Sequence, residues 1–301
     1  MTQYIYYPGC SVKSTGKVYE ESLLSVFKYL DTPLKEIDDW NCCGATAYFS
    51  IDESEAFGLA ARNLALAEKQ FNGSKNLHIV APCSACYLVL KKTQDYLNRD
   101  QELRRKIELG LNEVGLSYES FVQVRHPLDV VVNDIGLDKI KEKVTRPLRG
   151  LKVACYYGCQ IVRPYRDFDH ERNPMTMDNL VEALGGEPID WPLKTRCCGG
   201  SLTGTIEEVG LRLSYIILRE VRRRGADLVI TTCPLCQFNL ECYQERINKD
   251  FNESLEIPII YFTQLMGLAF GISDKEIGIH RLFIPITKLA KLRKGGENVY
   301  V

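Results

Sequence analysis

Cysteine is the chemistry-bearing residue of this chain, and its spacing is ordered. Cys10, the adjacent Cys42 and Cys43 before Gly44, and the CxxC pair Cys83 and Cys86 make one set. Cys159, the adjacent Cys197 and Cys198 before Gly199, and the CxxC pair Cys233 and Cys236 make a second. Ten of the twelve cysteines therefore form two five-member sets in the same order, as in a duplicated metal-binding unit. Thiolates are soft ligands that favour Zn²⁺, Cu⁺ or iron–sulfur clusters. A structural zinc ion takes four ligands, so five with an adjacent pair exceed its need. Adjacent cysteines reach one tetrahedral ion only with strain, but they can reach or bridge two iron atoms. The glycine after each pair permits a tight, left-handed turn. Two structural zinc sites leave the fifth cysteine of each set without a role, and thioredoxin-type dithiols leave Cys-Cys-Gly unexplained.

Two cysteines stand outside the sets. Cys242 falls on the helix expected after the last CxxC and reads as packing. Cys155 lies within an expected strand four residues before Cys159 and aligns with Tyr6; it reads as core, with replacement of Cys159 as ligand the alternative. The four histidines, His78, His126, His170 and His280, show no ligand spacing, and only His126 follows an expected strand.

The elements that must position the thiols repeat as well. Tyr-Tyr-Pro-Gly-Cys10 matches Tyr156-Tyr-Gly-Cys159, and Ile79-Val-Ala-Pro-Cys83 matches Ile230-Thr-Thr-Cys233. Tyr4 to Tyr7, Leu77 to Ala81, Val153 to Tyr157 and Leu228 to Thr231 read as buried strands. Ser54 to Gln70 and Glu207 to Arg224 read as amphipathic helices, the second stopped by a basic turn and Gly225. Val122 to Val132 and Ile257 to Leu268 each read as a strand running into an apolar helix. Each half is then a four-strand βαβαβαβ unit with a mostly parallel sheet. The expected fold is α/β, with two units related by a pseudo-twofold axis and the cysteines at the carboxyl ends of strands, where open α/β sheets bind ligands. Pro147 and Gly150, after the charged stretch from Leu137, place the boundary between 1–148 and 149–301. If both thiol sets act on one bound molecule, they are expected to face one another across a narrow cleft with basic residues at its mouth.

Composition narrows the function classes. With 301 residues, 45% of them hydrophobic and a formal net charge of −1, nothing favours disorder, nucleic acid or an anionic membrane. The N-terminal residues lack the basic and apolar regions of a signal peptide, and no run approaches the roughly 20 apolar residues of a membrane span. A cytoplasmic location follows as the expectation. Reducing conditions there favour metal or redox chemistry over disulfides. The basic stretch after Pro285, with Lys288, Lys291, Arg293 and Lys294 around Leu289 and Leu292, reads as a surface helix.

Two copies of five cysteines, with 31 and 37 residues before the Cys-Cys pair and 39 and 34 after it, resemble the duplicated CCG domain found in the B subunit of heterodisulfide reductase. The resemblance implies two noncubane [4Fe-4S] clusters, one on Cys10, Cys42, Cys43, Cys83 and Cys86, the other on Cys159, Cys197, Cys198, Cys233 and Cys236. It implies reduction of the coenzyme M–coenzyme B heterodisulfide of methanogenesis to two thiols, with one electron from each cluster. Both thiols are anionic, so Lys13, Arg163, Lys194 and Arg196, each within four residues of a candidate ligand, are candidate substrate contacts. No flavin, nicotinamide or ferredoxin-like motif is present. The resemblance accordingly implies partners: a small iron–sulfur subunit, which is the direct electron donor, and a flavin-containing subunit feeding it, with a hydrogenase or formate dehydrogenase upstream. A related oxidoreductase subunit that works on another sulfur compound or a quinone is the alternative, and a zinc-binding scaffold is the alternative from a different class.

Overall fold

Short runs of Tyr, Ile, Leu and Val form the strands, and their burial on both faces requires parallel pairing under helices. The computed structural model describes residues 3–45, 47–71, 76–167 and 169–288. In the first half β1 (Gln3–Tyr6), β2 (Lys35–Glu36), β3 (Leu77–Val80) and β4 (Gln123–Arg125) pair in parallel in the order β2-β1-β3-β4. In the second, β5 (Lys152–Tyr156), β6 (Glu187–Pro188), β7 (Leu228–Thr231) and β8 (Ile259–Tyr261) repeat that arrangement as β6-β5-β7-β8. This is the α/β architecture expected from the repeat. The central strands β3 and β7 are buried at every residue.

The long helices follow the pattern read from the sequence. Glu53–Gln70 starts where the Asp52 carboxylate accepts hydrogen bonds from the Ser54 and Glu55 amides, satisfying two of the donors a helix start leaves free. Glu207–Arg224 ends with three arginines opposite the negative end of the helix dipole and with Gly225 in the left-handed conformation. The edge strands β2 and β6, two residues each, left no periodic signal. The expected helix after β4 is interrupted: Pro127–Asp129 passes into a π-helical segment, Val130–Gly136, and then Leu137–Lys143. Lys288 pairs with Asp227 at 2.7 Å, whereas Leu289, Lys291, Leu292, Arg293 and Lys294 of the expected surface helix lie outside the described residues.

Each half lends a helix from beyond its last strand to the other. Phe262–Phe270 packs on Lys17–Tyr29 of the first half, and Leu137–Lys143 packs on Thr176–Ala183 of the second. Across the first of these contacts Tyr19 stacks on Tyr261 at 4.1 Å between ring centroids and Tyr29 on Phe270 at 5.0 Å, while the Ser22 and Thr263 hydroxyls lie 2.7 Å apart. The reciprocal exchange is the pseudo-twofold relation expected from the duplicated sequence. It places the carboxyl edges of both sheets against each other. Phe270→Ala should cost roughly 3–5 kcal/mol, the range for truncating a buried Phe. Urea unfolding should still show one transition; two separated transitions would show that the halves fold independently.

Candidate cysteine-rich metal centre

Every thiol of the two sets leaves a strand end or the loop beside one. Cys83 and Cys233 follow β3 and β7 and occupy the N-cap positions of the helices Ser84–Arg99 and Pro234–Glu241; the pKa of Cys83 is raised, chiefly by its bond with Cys233, whereas that of Cys233 is lowered. Cys86 and Cys236 sit one turn further on. Gly9 and Gly158, both with φ of +70°, precede Cys10 and Cys159. A β-carbon at Gly9 would stand 2.8 Å from Cys86 Sγ, and one at Gly158 would stand 3.1 Å from Cys236 Sγ. Glycine is thus required there so that the second cysteine of each CxxC can lie against the loop carrying the first cysteine of the set. Gly44 and Gly199, with φ of +78° and +103°, make the left-handed turns expected after the Cys-Cys pairs.

Two tyrosines hold these loops in a way the sequence signalled only through its repeated Tyr-Tyr. Tyr7 donates a hydrogen bond to the Asn41 carbonyl at 2.8 Å, and Tyr156 donates to the Arg196 carbonyl at 2.6 Å. In each half the residue anchored is the one before the Cys-Cys pair. Asn63 adds bonds of 3.0 Å to the amide and carbonyl of Asn41. In the second half Ser214 donates to the Cys198 carbonyl at 2.9 Å, and Asn239 donates to Cys198 Sγ at 3.5 Å.

The thiols are linked in a chain of close contacts. Sulfur–sulfur distances are 3.8 Å for Cys10 and Cys42, 3.2 Å for Cys43 and Cys86, and 3.5 Å for Cys198 and Cys236. Cys159 hydrogen-bonds Cys197. The Cys83 and Cys233 thiols hydrogen-bond each other across the halves, and beside them the hydroxyls of Ser84 and Thr232 lie 3.3 Å apart. Proton sharing splits the pairs. Cys159 is raised as donor to Cys197, while that bond, with help from the Gly199 amide, Arg163 and Arg196, brings Cys197 down to about 6. Cys198 and Cys233 are lowered, each chiefly by the Cys236 thiol, and Cys43 chiefly by Cys42. Among the described residues no three His, Cys, Asp or Glu side chains converge as one bound ion would need. Cys86 contacts both Cys43 and Cys83, and Cys236 contacts both Cys198 and Cys233; linked soft sulfurs of this kind suit a polynuclear cluster that offers several iron atoms, and the donor set fits iron–sulfur ligation.

The expected cleft between the two sets is absent where they meet: Cys83 and Cys233 are 4% and 3% exposed. Access is at the outer thiols, with Cys10 exposed and Cys42, Cys159 and Cys197 half-buried. A cavity of about 590 Å³ opens beside Cys197, lined by Arg163, Arg172, Arg196, Thr195 and Leu213. Arg163 also donates to the Thr195 carbonyl at 2.5 Å, steadying that wall. Lys13 and Lys194 are engaged elsewhere. Lys13 pairs with Glu20 at 2.6 Å and Glu36 at 2.7 Å. Lys194 is buried in an ion pair with Asp178 at 2.8 Å and also donates to the Pro174 carbonyl at 3.2 Å.

Cys155 is fully buried in β5, and burial, with Asp178 close by, pushes its thiol up. Cys242 caps Pro234–Glu241, half-buried, its thiol pushed up to about 11 by burial. His126 is wholly buried under the junction of the sets. Its Nε2 lies 3.1 Å from the Pro82 carbonyl, its Nδ1 accepts from the Leu128 amide at 3.1 Å, and its ring also hydrogen-bonds the Thr232 backbone. It therefore touches the residue before Cys83 and the residue before Cys233.

Comparison with known proteins agrees with this architecture. Residues 4–91 and 153–241 match the CCG cysteine-rich domain, and the chain belongs to that family. It is 32% identical over 289 residues to the 8-methylmenaquinol:fumarate reductase membrane anchor subunit of Wolinella succinogenes, covering 95% of this chain and 99% of that one. It is 30% identical over 299 residues to the B subunit of the ferredoxin/F420H2-dependent CoB–CoM heterodisulfide reductase of Methanosarcina acetivorans, covering 97% of each. The resemblance read from the cysteine pattern is thereby borne out. A hypothetical protein from Helicobacter pylori shares the fold, with a TM-score of 0.75 and 14% identity over 95% of this chain; this chain spans about half (53%) of that one. No helix among the described residues is long and apolar enough to cross a membrane.

Two expectations follow from the groups packed around the thiols. Lys194→Met strands the buried Asp178 carboxylate and should lower stability by about 3–5 kcal/mol; an unchanged unfolding midpoint would show that the pair is not structural. Burial, the largest influence on His126, brings it down to about 4, against an unfolded value of 6.5. Between pH 6.5 and 4 the unfolded chain therefore takes up a proton that the native chain refuses, and stability falls as pH drops through that window, on the order of 3 kcal/mol in all. Above it both states hold the ring neutral, and His126 adds no pH dependence. Urea titrations from pH 7 to 5 should show a shallower acid loss for His126→Gln than for wild type, and equal slopes would contradict this.

Proposed function

We propose that the chain is the two-cluster subunit of an oxidoreductase complex. In this reading Cys10, Cys42, Cys43, Cys83 and Cys86 hold one noncubane [4Fe-4S] cluster, and Cys159, Cys197, Cys198, Cys233 and Cys236 hold the other. The observation that carries the reading is the meeting of two complete five-thiol sets through Cys83 and Cys233. Such clusters, when bound, supply single electrons, whereas opening a disulfide takes two. The protein's part is to keep two one-electron centres adjacent, bury their inner edge and leave their outer thiols accessible.

The substrate favoured is the coenzyme M–coenzyme B heterodisulfide, in keeping with the Methanosarcina relative. Arg163, Arg172 and Arg196 around the cavity at Cys197 supply the charge that would orient an anionic thiol product. Lys13 and Lys194 have their charges spent on carboxylates and contribute to loop position. The partners proposed are a small iron–sulfur subunit that donates electrons and a flavin-containing subunit that feeds it, with a hydrogenase or formate dehydrogenase upstream, in the cytoplasm. A second reading, electron exchange with a quinone, is favoured by the Wolinella relative and its near-complete coverage.

Anaerobically purified protein should carry about eight iron atoms and matching sulfide per chain if both clusters are present. Zinc in their place would overturn the proposal. Turnover of the coenzyme M–coenzyme B disulfide with a reduced low-potential dye, against turnover of a menaquinol analogue, separates the two substrate readings. Cys42→Ser and Cys197→Ser should each abolish turnover, and activity surviving in only one of them would make that variant's half structural. Arg196→Ala should raise KM for an anionic substrate several-fold with little change in kcat, and the difference should shrink with added salt. Cys155→Ala should leave the iron content unchanged; loss of half of it would make Cys155 the ligand instead of Cys159.

A further inference from the structure

Buried hydroxyls without partners are rare, because leaving one unpaired forfeits its hydration for nothing. Among the described residues four buried side-chain polar atoms have none: the hydroxyls of Tyr19, Tyr261, Thr231 and Ser120. The first three gather in one place. Thr231 and Tyr261 are register partners at the ends of β7 and β8, and Tyr261 stacks on Tyr19, the rings 7° from parallel. Tyr19 and Tyr261 are 0% exposed.

The neighbouring tyrosines behave differently. Tyr6 donates to Glu20, Tyr7 to Asn41, Tyr156 to Arg196 and Tyr157 to Asp178. Only the stacked pair, one ring from each half, lacks a protein acceptor in this group. The charges that act on both rings are the thiols Cys83 and Cys233, with Tyr6 also facing Tyr19, and Glu241 and Cys236 facing Tyr261. Burial, above all, and these thiols raise both phenols far above their ordinary range, so each keeps its proton at any working pH and remains a donor. Neither hydroxyl has a hydrogen-bond partner in the protein, and the groups that act on both rings are the Cys83 and Cys233 thiols, at which cluster sulfur would be held.

Resting on the proposal that these thiols bind clusters, we infer that Tyr19 and Tyr261 donate hydrogen bonds to cluster sulfur at the junction of the two sets, and so set the reduction potential of the inner edge. Donors to cluster sulfur stabilise the more negative, reduced state and raise the potential. They are positioning and tuning residues and take no part in bond-making.

Tyr19→Phe, Tyr261→Phe and the double variant keep the rings and remove only the hydroxyls. In anaerobically purified, iron-loaded protein, a redox titration followed by electron paramagnetic resonance should show the potential shifting negative in each single variant and further in the double, with iron content as in wild type. On unmodified protein in D₂O, electron–nuclear double resonance should show an exchangeable proton coupled to the cluster, and that signal should be missing from the double variant. Wild-type potentials in fully loaded variants would overturn the inference alone. Equal losses of stability in metal-free and loaded variants, with no change in potential, would also overturn it by showing that the hydroxyls bind trapped water. Absence of iron and sulfide from wild type would overturn the cluster reading and this inference with it.

Discussion

The contact between Cys83 and Cys233 is the constraint around which the molecule is arranged. Each thiol follows the central strand of its sheet and caps the next helix, so the contact requires two carboxyl edges to meet head to head. That meeting in turn requires the helix after β8 to cross onto the first half and the helical stretch after β4 to cross onto the second. The stacked pairs Tyr19–Tyr261 and Tyr29–Phe270 and the Ser22–Thr263 contact lie along the first of these crossings. The interface between the halves and the support beneath the thiols are therefore one structure.

So many thiols near one buried edge are unfavourable as free groups, since burial opposes the thiolate and crowding opposes several charges together. The protein answers with pairing. Raised Cys159 and Cys10 stand beside Cys197 and Cys42 at the outer edge, and raised Cys86 and Cys236 contact the lowered Cys43 and Cys198 further in. A group that removes the protons and shares its own positive charge among the sulfurs relieves both penalties. Bound metal is for that reason the natural completion of the site.

The two halves are alike in scaffold and unlike in setting. Tyr7 and Tyr156 hold equivalent carbonyls, and Gly9 and Gly158 admit equivalent sulfurs. The basic cavity at Cys197 belongs to the second half; beside Cys10, Lys13 is occupied by Glu20 and Glu36. Duplication accounts for the shared frame. Divergence of the loops gives each set its own access and charge.

The sequence by itself determined the two five-cysteine sets, the family and the α/β repeat, because those rest on residue type and on short-range periodicity. It also marked the left-handed turns at Gly44 and Gly199, since a Cys-Cys-Gly turn is a local requirement. Charge within a few residues of a thiol proved a poor guide to the site. Arg163 and Arg196 line the cavity, but Lys194, equally near in sequence, turns inward to Asp178, a residue brought close by the fold. Arg172 gave no signal because, although it shares with Cys159 and Arg163 the connection between β5 and Thr176–Ala183, it lies well beyond the few residues over which nearness to a thiol was read. Tyr19, His126 and Tyr261 are far apart in the chain, and neither periodicity nor motif links them. Only the crossing of helices between the halves decided that one histidine and one stacked tyrosine pair would be buried around Cys83 and Cys233, since side chains from separate elements acquire common neighbours only through packing.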